Sequence, residues 1–460
     1  MRFKSVLAIA ATAALAVGMT ACSSGGVSSG DALAAGPNGP AKASDCTNKI
    51  VEKGAPLVTV WAWYPNAATV VDNFNNSHTD VQVCWRNVGQ GQAEYSKFQT
   101  AIAAKKGAPD VIMLEGDQLT SYEIQDSLVD ISGLGWDDVK ANFSEGAIKD
   151  VSAGDGVYAV PVDGGPMGMI YRTDIFDKYD IEVPTTWEEY AAAAQKMKDA
   201  GGPLFGDLAS NTPAATLALQ SQKGAIPFVY NYSEDPKTIG IELNDPASVD
   251  VLNYWADLSQ KGLIGKQDQF TTDYISGFIK GDYATYIGAA WGPGYLTGAG
   301  VGQGEDAGRL AAAPLPQWDA SNPVQVNWGG STFAVTTQAT DKKLSAQVAL
   351  ELYADQESVK DGWSKQVIFP LSKVGLEDPD FLEGGSAFFG GQLANKEIYV
   401  PAANAYTGAT LPPFTAYYYA ELQKQIAAIN TSGRSGDEAA EALQKSVVKY
   451  AKSQGFTVTE

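Results

Sequence analysis

Two kinds of residue in this chain could do chemistry together. Aromatic rings stand on turns: Trp63 and Tyr64 precede Pro65-Asn66, Trp291 lies within Gly288-Ala289-Ala290-Trp291-Gly292-Pro293-Gly294, and Trp328 precedes Gly329-Gly330. Carboxylates follow apolar runs: Glu115 and Asp117 come after Val111-Ile112-Met113-Leu114, and Asp163 after Val160-Pro161-Val162. A flat ring stacks on the apolar C–H face of a pyranose. Carboxylates, amides and backbone groups bond its hydroxyls, because buried polar groups need partners. Grouped on Gly-rich turns, these residues point to a binding cleft for a sugar.

Other chemistries find little support. The single histidine, His78, sits in the polar turn Asn75-Asn76-Ser77-His78-Thr79-Asp80 and reads as a solvated surface residue. One histidine removes most His-based metal sites, and neither a metal nor a cofactor is expected. Gly302-Gln303-Gly304-Glu305-Asp306-Ala307 nearly matches a dinucleotide fingerprint. Its two acids would stand where a pyrophosphate needs positive potential, so it reads as a flexible acidic loop. No Walker loop occurs. The formal net charge of −21 argues against nucleic acid as a partner.

The first residues carry a targeting pattern. Arg2 and Lys4 precede an apolar run from Val6 to Val17, too short to span a bilayer permanently, and Met19-Thr20-Ala21-Cys22 follows. This is a secretory leader over 1–22, and its end is similar to a bacterial lipobox in which Cys22 is lipidated. Residues 23–49, rich in Gly, Ser, Ala and Pro over most of their length, read as a flexible tether. The remaining pair, Cys46 and Cys84, reads as one disulfide in an exported chain.

Elements that must position the candidate residues can be read next. Leu57 to Trp61, Val81 to Trp85 and Asp110 to Leu114 read as strands, and Ala67 to Asn75 and Tyr95 to Lys106 as the helices between them. Alternation of this kind implies a parallel sheet with ligands beyond the carboxyl ends of its strands. Thr185-Thr186-Trp187-Glu188-Glu189 is a helix start, which makes Trp187 a packing residue. Asp341 to Asp355, Pro413 to Ile429 and Asp437 to Lys452 are further helices.

The ordered set of landmarks resembles the extracellular solute-binding proteins of bacterial carbohydrate ABC importers, the group that includes maltose-binding protein. It comprises Val58 to Trp63, Ala108-Pro109-Asp110-Val111-Ile112, Val157 to Asp163 leading to Ile170-Tyr171-Arg172-Thr173-Asp174, Pro184 to Glu189, Gly281-Asp282-Tyr283-Ala284 with Trp291, Trp328-Gly329-Gly330, and Ala416-Tyr417-Tyr418-Tyr419-Ala420. Arg172 departs from the family, which has Asn after the Tyr. The resemblance implies an α/β, two-lobed periplasmic-binding-protein-like fold of type II, with the ligand cleft between lobes. One lobe would hold 50–163 plus 289–330, the other 164–288 plus 331–460. It implies ligand contacts from Trp63, Tyr64, Asp117, Asp163, Trp291 and Tyr418, with Trp328 and Glu115 beside them. It further implies a monomer anchored by lipid to the outer face of the membrane, handing an oligosaccharide to permease subunits. A lipid-anchored glycoside hydrolase, the same scaffold binding a polyamine or iron chelate, and an adhesion lipoprotein are the rivals.

Overall fold

The computed structural model describes residues 42–459 apart from 233, 355, 367, 385 and 386. The expected leader, Cys22 and the first part of the tether lie outside the described residues. Strands β1 (Leu57–Trp61), β2 (Gln82–Arg86) and β3 (Val111–Glu115) pair in parallel in the order β3-β1-β2, as alternation with helices Ala67–Ser77 and Gln92–Ala104 requires. A short hairpin, β4 (Ser152–Ala153) and β5 (Gly156–Val157), leads into the thirteen-residue strand β6 (Val160–Arg172). Later come β7 (Phe228–Tyr230) and β8 (Thr238–Ile241), then β9 (Thr285–Ala289), β10 (Leu310–Pro314) and β11 (Asn327–Val335). The final strand β12 (Thr457–Thr459) joins β8 and β7 in a separate three-stranded sheet.

The main sheet is mixed rather than wholly parallel. Strand β11 runs antiparallel to β3 and β6, while β9 and β10 run antiparallel to β6. The reason is that β6 and β11 are long. The first part of β6 and the last part of β11 complete the β3-β1-β2 sheet, whereas the far half of β6 pairs with β9 and β10.

Two hydrophobic cores follow from this. The first contains Val58 to Val162 and then Phe333 to Ile368. The second contains Met167 to Trp328 and then Phe369 to Ala451. Each core defines a lobe, and the chain crosses between them at β6, at β11 and at Ile368–Phe369. The expected division is corrected here: 289–330 packs with the second lobe and 333–368 with the first. The sequence marks β9 as the end of a lobe because Trp291 and its glycines look like a cleft loop. Instead β9 and β10 flank β6 as partners, and the crossing comes two strands after β9, within β11.

Several local expectations meet their outcome. Trp187 is 1% exposed and donates from Nε1 to Gln222 at 2.8 Å, at the head of helix Trp187–Asp199, whose Thr186–Glu189 capping box is formed. His78 is not simply solvated: its ring stacks on Phe74 at 3.9 Å, and Nε2 lies 3.3 Å from Glu351. The acidic loop is tied down, because Asp306 accepts from buried Arg172 and from Arg309, each at 3.3 Å. Arg172 also forms a two-pronged pair with Asp174 at 2.8 and 2.7 Å.

Residues 46–49 are not tether. Cys46 is bonded to Cys84 across a separation of 38 residues, and Asn48 bonds both Val83 O and Trp85 N along the outer edge of β2. Strand β2 is an edge, and these bonds cover its free backbone groups.

Candidate functional site

A cavity of about 540 Å³ opens between the two lobes beyond the carboxyl end of β3. Its floor is built from Asp117 after β3, Asp163 on β6, and Asn327 and Gly329 to Thr332 on β11. The second lobe supplies Leu217 and Ala218 of helix Pro213–Lys223, Phe228, Tyr230 and Tyr232 at β7, and Tyr419 of helix Thr415–Ser432. Glu123, Lys149, Asp150 and Tyr406 complete the polar wall, and among the described residues Lys149 is the one cation in it.

Two glycines allow the floor to form. A Cβ on Gly165 would lie 1.9 Å from the carbonyl oxygen of Trp328, and Gly330 has φ +133° with Asp163 O only 2.9 Å from where a Cβ would stand. Side chains there would push β6 and β11 apart at their irregular crossing. Asp163 stands at this crossing. Its Oδ1 accepts from Phe369 N at 2.8 Å, so the carboxylate ties the first crossing to the third.

The electrostatics of the floor are set by burial. Asp163 is pushed up to about 7 by desolvation, opposed by the Phe369 and Gly164 amides. Glu115 is pushed up to about 8, first by desolvation and then by the negative charges of Asp117 and Asp163, against the hydrogen bond from Tyr95. Asp117 is raised by desolvation, opposed by hydrogen bonds from Gln118, at 2.8 Å, and from the Tyr419 hydroxyl. Glu115 and Asp163 thus titrate within reach of neutrality, where a carboxyl can both donate to and accept from hydroxyl groups.

Of the residues singled out from sequence, the structure brings Asp117 and Asp163 into the cavity wall. Glu115 stands just behind, bonded to Tyr95 OH at 3.3 Å. Trp63 packs edge-on against that same Tyr95, ring centres 5.7 Å apart, and does not line the cavity. Tyr64 is 8% exposed and packs on Phe333 and Tyr353.

The remaining three belong to the second lobe's packing. Trp291 donates from Nε1 to the Trp328 carbonyl at 3.1 Å and meets the Trp328 ring edge-on at 4.8 Å. Phe270 lies beside both. The glycines flanking Trp291 serve Tyr286, since a Cβ on Gly288 would lie 2.0 Å from its ring and one on Gly292 would lie 3.0 Å away. Tyr418 is fully buried against Phe228, and its hydroxyl has no partner among the described residues.

Sequence reasoning missed Tyr419, Tyr230, Tyr232, Tyr406, Asp150 and Asn327. For Tyr419 a signal was present. Tyr418, Leu422, Ile426 and Ile429 recur at helical spacing and form one buried stripe, which turns the next residue toward the cleft.

Comparisons with known proteins agree with this geometry. The chain is 22% identical over 377 residues to a lactose-binding protein of Rhizobium radiobacter, covering 75% of this chain and 83% of that one. An ABC-transporter-associated binding protein from B. animalis subsp. lactis Bl-04, solved with β-1,6-galactobiose, superposes with a TM-score of 0.74 at 26% identity, covering 88% of this chain and all of that one. The galacto-N-biose-/lacto-N-biose I-binding protein from Bifidobacterium longum, solved with lacto-N-biose, gives a TM-score of 0.78 at 20% identity over 89% of this chain and all of that one. Residues 69–384, more than half of the chain, match the model of the bacterial extracellular solute-binding proteins, and the chain belongs to that family.

Proposed function

We propose that this chain is an extracytoplasmic receptor for an oligosaccharide, which it delivers without turnover to an ABC-type importer. The observation that carries the reading is the wall of the 540 Å³ cavity, in which Asp117, Asp150 and Asp163 alternate with Tyr230, Tyr406 and Tyr419. Tyrosine rings offer apolar faces to sugar C–H groups, and protonatable carboxyls match hydroxyls in either direction. The volume lies within the range of small-ligand sites. Sugars bound by the structural neighbour from B. animalis and named for the R. radiobacter relative support the class of ligand.

In this reading the ligand contacts are Asp117, Asp163 and Tyr419, with Tyr230, Tyr406 and Asn327 around them. The sugar stabilises the closed form of the lobes, and the closed form is what the permease recognises. The chain acts as a monomer, exported by its leader and held to the membrane by lipid on Cys22.

A thermal-shift panel of neutral disaccharides and trisaccharides, including β-1,6-galactobiose and lactose, tests this. A true ligand at one hundred times its Kd stabilises by about 2.7 kcal/mol. No shift with any saccharide overturns the reading. Release of new reducing ends during incubation would make the chain a hydrolase instead.

A further inference from the structure

Among the described residues the lobes are joined covalently only at the three crossings, yet they also touch across the cavity through side chains of one chemical pattern. Asp126, in the turn after helix Leu119–Glu123, accepts from the Tyr232 hydroxyl at 3.3 Å. Asp150, at the end of helix Glu145–Asp150, accepts from the Tyr406 hydroxyl at 3.2 Å and from Ala409 N at 3.0 Å. Asp117 accepts from the Tyr419 hydroxyl. In every pair the aspartate belongs to the first lobe and the tyrosine to the second. The three aspartates come from three separate elements, and so do the three tyrosines.

We propose that these Asp–Tyr pairs are a three-point latch that holds the lobes closed over the cavity and sets ligand affinity by positioning one lobe against the other. The inference rests on the saccharide-receptor reading for its affinity arm and on geometry alone for its closure arm. Contact between lobes at these points is close. A Cβ on Gly146, beside Asp150, would lie 2.4 Å from Tyr406 O, and Lys373 of the second lobe donates to Ala141 O of the first at 2.7 Å. The contacts are also polar and partly exposed, unlike either core. Breaking them exchanges a hydrogen bond with protein for one with water, so each is individually weak and reversible. A hinge of three crossings closed by such pairs can open and shut without disturbing the cores on either side. Asp126 itself does not line the cavity, so its effect on a ligand must pass through the position of Tyr232 and the second lobe.

Small-angle X-ray scattering of the intact ligand-free chain, wild type against variants, measures closure directly. Tyr232→Phe with Tyr406→Phe removes two hydroxyls and leaves the rings. The radius of gyration is expected to rise by about 1 Å from the ~23 Å of a compact chain of this length. Asp126→Gly is the second probe. It removes the acceptor and suits the left-handed backbone at that residue, φ +51°, so the fold is retained.

In titrations with β-1,6-galactobiose, Tyr232→Phe and Asp126→Gly should each weaken binding about three- to tenfold through faster dissociation. The double variant should be no weaker than either single one. An unchanged radius of gyration in the Tyr232→Phe/Tyr406→Phe variant overturns the latch, as do additive losses in the Asp126/Tyr232 cycle. If no saccharide binds even the wild type, the saccharide-receptor reading falls, and the scattering comparison still decides the latch.

Discussion

The acidic floor at β3 and β6 and the aromatic rim around Trp291 look alike as sequence: each places conspicuous side chains beside glycines after a strand. In three dimensions they differ. The floor turns Asp117 and Asp163 into the cavity, and the glycines near Asp163 exist so that two strands can cross. The rim turns Trp291 onto Trp328 and Phe270, and its glycines make room for Tyr286. A glycine beside an aromatic residue therefore says that something approaches closely, not whether that something is a ligand or the protein itself.

Four measurements break or sharpen this contrast, from the largest expected effect down. Asp163→Ala removes both a cavity carboxyl and the acceptor for the Phe369 amide. An affinity loss of about 2–3 kcal/mol, roughly thirty- to one-hundred-and-fiftyfold by calorimetric titration, is expected. Unchanged affinity would remove the floor from the site.

Trp291→Ala is expected to act on stability, lowering the unfolding free energy by about 2 kcal/mol in denaturant titrations, with less effect on affinity than Asp163→Ala. Should affinity fall more than thirtyfold while stability holds, the contrast is reversed and the rim is the binding surface.

The floor also predicts a pH dependence that the rim lacks. Glu115 and Asp163 are raised in the folded state, to about 8 and about 7, above their unfolded values. Between about pH 4 and pH 8 the folded chain binds protons that the unfolded chain has released. Their contribution is therefore present at the acid end and lost as pH rises through the folded values. Residual exposure to the cleft reduces the size to about 1 kcal/mol. The melting temperature should decline from pH 5 to pH 8, and Glu115→Gln should flatten that decline; an unaltered slope in the variant would show that Glu115 carries none of it.

Smallest is a matched pair on one helix. Tyr419→Phe should cost about 1 kcal/mol of binding, whereas Tyr418→Phe, which loses a hydroxyl without a partner, should leave binding unchanged and stability equal or slightly higher. Equal effects on affinity would mean that the helix faces the cleft differently.

The contrast also marks how far the sequence is legible. Strands β1 to β3 and the helices between them follow from short-range alternation and lie within a few residues of their reading. The disulfide followed from there being just two cysteines after Cys22. What is not local could not be read that way. The antiparallel strands of the main sheet and the place of the second crossing depend on pairings separated by more than a hundred residues, such as Phe333 with Met113 and with Val160. Tyr418 and Tyr419 differ only by a helical rotation of about 100°, which the spacing to Leu422 and Ile426 would have resolved. The Trp residues expected at the cleft pack on one another or on neighbouring rings, because a large ring on a turn is equally good at filling space, and the tyrosines that line the cavity are more widely scattered along the chain.

The fastening at Cys46 has a mechanical consequence. Any pull on the chain ahead of residue 46 passes through the Cys46–Cys84 bond into the middle of β2. There it loads a whole strand in shear, instead of peeling residues 47–56 away one at a time. The strand that takes this load lies at the far edge of the sheet, with β1, β3 and β11 between it and β6. If the chain is held by the lipid proposed above, the outer border of the first lobe takes the pull first, and only the share acting on the second lobe passes through the crossings.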